Sequence, residues 1–82
     1  MLTVEIRDAE KARQGGAEIE IFCDTEGLIL LKRQLEFLTK GSSHVHLMSQ
    51  SWAGNELDEV PIGDDTDLVH HLKIMLLQSP SP

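Results

Sequence analysis

The histidines are the residues of this sequence that could bind a metal or transfer protons, and all four lie in the second half of the chain. His44 and His46 are two positions apart, so in a β-strand both imidazoles would project from the same face. Together with His71 they could supply three nitrogen ligands to zinc, which takes three protein ligands in catalytic sites. The alternative is that these histidines are ordinary polar side chains beside acids, because two histidines at this spacing are not a metal motif.

Acidic side chains form the second group with functional chemistry, and those of the second half of the chain all lie in residues 56–67. From Gly41 onwards the chain has six acidic residues and a single basic one, Lys73. Trp52, the only tryptophan, precedes this stretch and either closes the edge of the core or anchors a partner, since tryptophan is enriched at binding hot spots. Acidic runs usually just face solvent, yet this one could also attract a basic partner. The candidate partner-binding residues are Trp52, Glu56, Asp58, Glu59, Asp64 and Asp65.

Nucleophilic catalysis has little support in the sequence. Cys23 lies on the same predicted inward face as Ile19 and Ile21, which predicts a core position rather than a reactive thiolate. Ser49 and Ser51 could form a dyad with His46, but no nucleophile-elbow motif surrounds them. Phosphate-binding and calcium-binding loop patterns are also missing from the sequence. We therefore expect no enzymatic activity and no cofactor.

Length and composition exclude further classes. With 82 residues the chain is predicted to be one domain, residues 1–82, with a frayed Ser/Pro tail at residues 78–82. The net charge of −7 argues against binding to nucleic acid, and the single cysteine excludes an internal disulfide framework. No apolar run approaches the roughly 20 residues of a membrane span, and the start of the chain does not resemble a signal peptide. We therefore expect a cytoplasmic protein that binds neither membranes nor nucleic acid.

Hydrophobic periodicity indicates which elements position these groups. Alternation predicts strands at residues 2–7, 17–23 and 44–49. Asp24 or Thr25 begins a predicted helix that ends at Gly41. The apolar stripe of this helix, which is expected to form the main core, consists of Leu28, Leu31, Leu35 and Leu38. Residues 68–77 fit either a helix or a strand, and the alternation of Leu72, Ile74 and Leu76 favours a strand.

This order predicts an α+β fold, β-β-α-β-β, with a four-stranded, mostly antiparallel sheet and one helix packed on one face. The other face of the sheet would be polar and open to solvent. It would carry Glu5, Glu18, Glu20, Phe22, His44, His46, Met48, His71 and Lys73. Beside the carboxylates of that face, the pKa values of the three histidines should lie above the ordinary value of about 6.5.

Three stretches of the sequence resemble a known family. Residues 44–57, HVHLMSQSWAGNEL, together with residues 19–27 and 68–74, resemble the immunity protein 32 family of bacterial polymorphic toxin systems. The resemblance extends from about residue 4 to residue 77. It implies an α+β fold, no enzymatic activity and binding to a toxin domain, but it implies no particular contact residues.

The sequence and the resemblance together predict a small acidic immunity protein that binds and neutralises a cognate toxin. Two other functions stay open. One is a small metal-binding protein that uses His44, His46 and His71. The other is a homodimeric structural or regulatory domain.

Overall fold

The computed structural model describes residues 1–77, and the tail predicted for residues 78–82 lies outside them. Two short 3-10 helices, Ala9–Gln14 and Gln50–Trp52, occupy connections between the main elements. In chain order the main elements are β1 (Leu2–Arg7), β2 (Glu18–Cys23), α1 (Thr25–Thr39), β3 (His44–Met48), β4 (Thr66–Val69) and β5 (His71–Met75).

The strands form two antiparallel sheets rather than one. In the first sheet β1 lies between β2 and β4, so Val4 is opposite Ile21 on one side and Val69 on the other. In the second sheet β3 pairs with β5. The α+β class with one main helix is confirmed, but the single four-stranded sheet is wrong. The predicted last strand divides at His70 into β4 and β5, and each part pairs with a different neighbour.

Asp24, one of the two residues that the sequence offers as a cap, is the N-cap of α1. Its Oδ1 accepts a hydrogen bond of 2.9 Å from the backbone N–H of Gly27 and lies 2.5 Å from the N-terminal ammonium of Met1. Gly27 is required at this point, because an added Cβ would lie 1.8 Å from the carbonyl oxygen of Met1. The start of the helix is therefore fixed against the first residue of the chain.

A small apolar core lies between α1 and the two sheets. Its buried members are Leu2, Val4, Leu38, Val45, Leu47 and Leu57. Only part of the predicted helix stripe contributes: Leu38 is buried and Leu31 packs against the core, whereas Leu28 and Leu35 are 47% and 41% exposed. The helix meets the sheets along a narrow line, so its flanks stay open. Cys23, also predicted to be buried, is exposed.

The helices within residues 1–77 include none with the length and apolar character needed to cross a membrane.

Candidate functional site

The long connection from the second 3-10 helix to β4 covers the face of the first sheet that was predicted to face solvent. Glu5, in the middle of β1, is fully buried there. Its carboxylate accepts hydrogen bonds from the backbone N–H groups of Ile62 (3.1 Å) and Gly63 (3.0 Å) and from the hydroxyls of Thr3 (2.6 Å) and Thr66 (2.5 Å). The prediction of a solvated Glu5 is wrong, because strand alternation does not reveal which loop covers a face.

These hydrogen bonds decide the ionisation of Glu5. Burial alone would raise the pKa of a carboxyl group. The hydroxyls of Thr3 and Thr66 and the two backbone amides outweigh burial and lower the pKa of Glu5 from 4.5 to about 2. The side chain is therefore a carboxylate at neutral pH, and all its partners outside β1 belong to residues 62–66.

Two further contacts tie this connection to β1. Arg7 donates a hydrogen bond of 2.7 Å from Nη1 to the carbonyl of Asp64, while its Nε contacts Glu20 at 2.7 Å. At the other end, the backbone N–H of Leu2 donates to Asp58 Oδ2 at 2.9 Å and the N–H of Asp58 donates to the carbonyl of Leu2 at 2.8 Å. Residues 58–66, which we call the docked loop, are thus held near both ends and in the middle.

The predicted acidic residues have different surroundings within and beside the docked loop. Asp58, Asp64 and Asp65 are exposed, whereas Glu56 and Glu59 are half-buried. Glu59 accepts a hydrogen bond from the hydroxyl of Ser51, which is the main cause of its lowered pKa, while burial opposes this shift. Asp58 and Glu59 are therefore partly engaged within the protein, and Asp64 and Asp65 are the acids most open to a partner.

Between these acids the docked loop carries exposed apolar side chains that the sequence analysis did not select. Val60 is 73% exposed and Ile62 is 53% exposed, with Pro61 exposed between them. We call residues 60–62 the apolar tip. The signal in the sequence was the run Val-Pro-Ile inside a polar, acidic stretch, which neither periodicity nor charge counting selects.

Ser49, His70 and Glu59 lie together but lack the geometry of a catalytic triad. Ser49 Oγ is 2.7 Å from His70 Nδ1, and Glu59 Oε2 is 3.3 Å from the same nitrogen. In a triad the hydroxyl and the carboxylate contact different ring nitrogens. Ser49 is also fully buried. The group therefore fixes the chain at the break between β4 and β5, and Ser49 pairs with His70 rather than with His46.

The pairing of β3 with β5 brings the predicted histidines together on the outer face of the second sheet. His46 Nδ1 lies 2.7 Å from His71 Nε2, and the ring centroids of His44 and His46 are 4.9 Å apart. The ring centroids of Trp52 and His71 are 6.0 Å apart, and Trp52 is 56% exposed. Trp52 therefore borders this histidine face and does not close the core.

The electrostatics of the histidine face differ from the prediction. Burial lowers the pKa of His46, and the positive charges of His44, His71 and Lys73 lower it further. The predicted increase is wrong for His46, because Glu18 and Glu20 belong to the other sheet. Within residues 1–77 no group of three or more His, Cys, Asp or Glu side chains is placed to hold a metal ion. The three-histidine metal site stays a prediction.

Comparisons with known proteins give one finding. The family model for Immunity protein 32 matches residues 18–73, from the start of β2 into β5. The matched segment includes α1, the histidine face and the whole docked loop. Neither the curated proteins nor the solved structures give a match to the chain.

Proposed function

Because this chain belongs to the immunity protein 32 family, we propose that it neutralises a cognate bacterial toxin by binding its toxin domain in a stoichiometric complex. The observation that carries the proposal is the family match over residues 18–73, which confirms the resemblance found in the sequence. On this proposal the protein inhibits by occupying a surface of the toxin and does no chemistry of its own.

The charge of the molecule supports a basic partner surface. The chain carries 14 acidic and 7 basic side chains, and three exposed aspartates, Asp64, Asp65 and Asp67, lie at the end of the docked loop and in β4. Opposite charges accelerate the encounter of two proteins and make it sensitive to salt. We propose that these aspartates steer the protein towards the toxin.

The same proposal assigns the complex to the cytoplasm. Cys23 is an exposed free thiol. Reducing compartments keep such thiols unpaired, whereas oxidising ones favour disulfides between molecules. Fractionation of producing cells, followed by detection of the protein, tests this assignment.

Binding kinetics with a candidate toxin domain from a neighbouring reading frame test the proposed function. The parent protein should form a one-to-one complex and remove the toxicity of that domain on co-expression. The triple variant D64N/D65N/D67N should associate several-fold more slowly at low salt, with a flatter salt dependence.

A control variant, E10Q/E18Q/E36Q, removes the same number of charges from exposed positions outside the docked loop. It should associate nearly as fast as the parent if the location of the aspartates matters. Equal slowing of association in both variants would contradict steering by these aspartates, because the net charge alone would then explain the association rate. A parent protein that neither binds nor protects would contradict the proposed function itself.

A further inference from the structure

We propose that the apolar tip is the anchor that the toxin buries, and that Glu5 holds this tip in its binding conformation before the toxin arrives. This inference rests on the proposed function and adds which residues make the central contact. The partner surface it requires is an apolar cleft within a basic surface.

The first step of the argument is the contrast between backbone and side chains in the docked loop. The N–H of Ile62 is bound to the buried carboxylate of Glu5 at 3.1 Å, yet the residue is 53% exposed. Val60, with 73% exposure, is the most exposed large apolar residue between Leu2 and Leu76. The chain therefore fixes the backbone of the tip and exposes more than half of Val60 and of Ile62 to solvent, so most of this apolar surface is left unburied in the monomer.

The second step is the role of Glu5. A buried carboxylate destabilises the folded protein unless it is fully hydrogen-bonded. For Glu5 most of the required donors come from the docked loop. Thr66 and the backbone amides of Ile62 and Gly63 supply three of the four donors. Pro61 restricts the backbone further. A loop ordered in advance loses less conformational freedom on binding, so its contacts contribute more fully to affinity.

The third step identifies the partner by charge. Asp58 and Glu59 precede the tip along the chain, and the exposed Asp64 and Asp65 follow it, so the apolar side chains are flanked by acidic residues on both sides in sequence. A basic surface with an apolar cleft complements this arrangement. The apolar groove of 460 Å³ beside α1 offers no such preference, because its two charged lining residues, Glu26 and Arg33, have opposite signs.

Dissociation kinetics against the same candidate toxin domain test the anchor. The double variant V60S/I62S should dissociate at least about tenfold faster than the parent, since hot-spot residues control lifetime more than encounter. The matched control is I19S/I21S, which removes two apolar side chains of similar exposure, 55% and 46%, from β2. The control should dissociate within about twofold of the parent, because most interface mutations outside hot spots are nearly neutral.

Amide hydrogen exchange tests the positioning role of Glu5 without any toxin. In the parent the amides of Ile62 and Gly63 should be protected although they lie in an exposed loop. E5Q should lose this protection and bind the toxin more weakly. T66V removes one donor and keeps the volume of the side chain. It should lower both the amide protection and the toxin affinity, but by less than E5Q does. It replaces E5Q in the test if E5Q does not fold.

The outcomes separate this inference from the proposed function. A parent that binds tightly together with a V60S/I62S variant that dissociates at the parental rate would overturn the anchor alone. Faster dissociation of I19S/I21S to the same extent would move the contact to β2 and overturn it as well. Unprotected Ile62 and Gly63 amides in the parent would overturn the positioning role. A parent that does not bind the toxin overturns the proposed function and this inference together.

Discussion

A single carboxylate, that of Glu5, gives the stability of this protein a defined dependence on pH. Its pKa of about 2 in the folded protein lies below its ordinary value of 4.5, so folding releases protons between these values. The stabilisation is complete above pH 4.5 and is lost as the pH falls through 2. By the usual conversion it amounts to about 3 kcal/mol. Urea unfolding of the parent from pH 7 to pH 2 measures the loss.

The variant E5Q isolates this contribution from other acids. Glu20, Asp24 and Glu59 also have lowered pKa values, so the parent loses stability in acid for several reasons. We expect E5Q to be less stable than the parent at pH 7, and the difference to shrink as the pH approaches 2. A difference that stays constant over this range would show that the carboxylate of Glu5 is not charged in the folded state.

His46 should respond to pH in the opposite sense. Burial and neighbouring positive charges lower its pKa, so protonation opposes folding. Stability should therefore be full above pH 6.5 and decrease as the pH falls below that value. NMR titration of the imidazole should give His46 a pKa below 6.5, and K73Q should raise it by removing one positive charge. A pKa of His46 above 6.5 would contradict the arrangement of the histidine face.

At the scale of elements, α1 should show a strong contrast between two leucines of the same stripe. Leu38 is buried in the core and Leu35 is 41% exposed. L38A should lower the free energy of unfolding by about 2–5 kcal/mol, and L35A should cost much less. Chemical unfolding of both variants at the same pH measures the difference. Equal losses would mean that the flank of α1 near Leu35 is covered in solution.

The element boundaries show how far sequence can predict this fold. Alternation finds β1, β2 and β3, and the capping signal at Asp24 or Thr25 finds the start of α1, because these signals are local. The division at His70 depends on which strand lies beside each half, and alternation carries no such information. The same limit applies to Glu5, whose donors at Ile62 and Gly63 lie far along the chain. For the candidate site, local pattern found the acids and the histidines but not the loop that arranges them.

At the scale of the whole molecule, the charge imbalance should make salt stabilise the free protein and slow its association with the toxin. A net charge of −7 repels itself in the compact state, so screening should raise the melting temperature of the free protein. Between about 0.01 M and 0.15 M salt the screening length falls from roughly 30 to 8 Å. The variant E10Q/E18Q/E36Q, with three fewer negative charges, should show a smaller rise. Melting curves at both salt concentrations test this, while the same salt should slow association with a basic toxin.

The predicted homodimer concerns the whole molecule as well, and it stays a prediction. Ile19 and Ile21 of β2 and Leu28 of α1 are each about half exposed. Among residues 1–77, no strand pairs with the outer edge of β2. A second copy could cover both features. Sedimentation equilibrium over a range of concentrations measures the association directly, and I21K should abolish any dimer that uses this edge.

The central position of β1 also determines when the protein can acquire its fold. β1 is made before its partner β4, which lies roughly 60 residues further along the chain, a separation typical of slow, non-local folding. A ribosome that has not yet released β4 can produce the hairpin of β1 and β2 but not the closed sheet or the docked loop. We expect nascent chains arrested before residue 66 to offer no protection, so that immunity begins only after β4 has been synthesised.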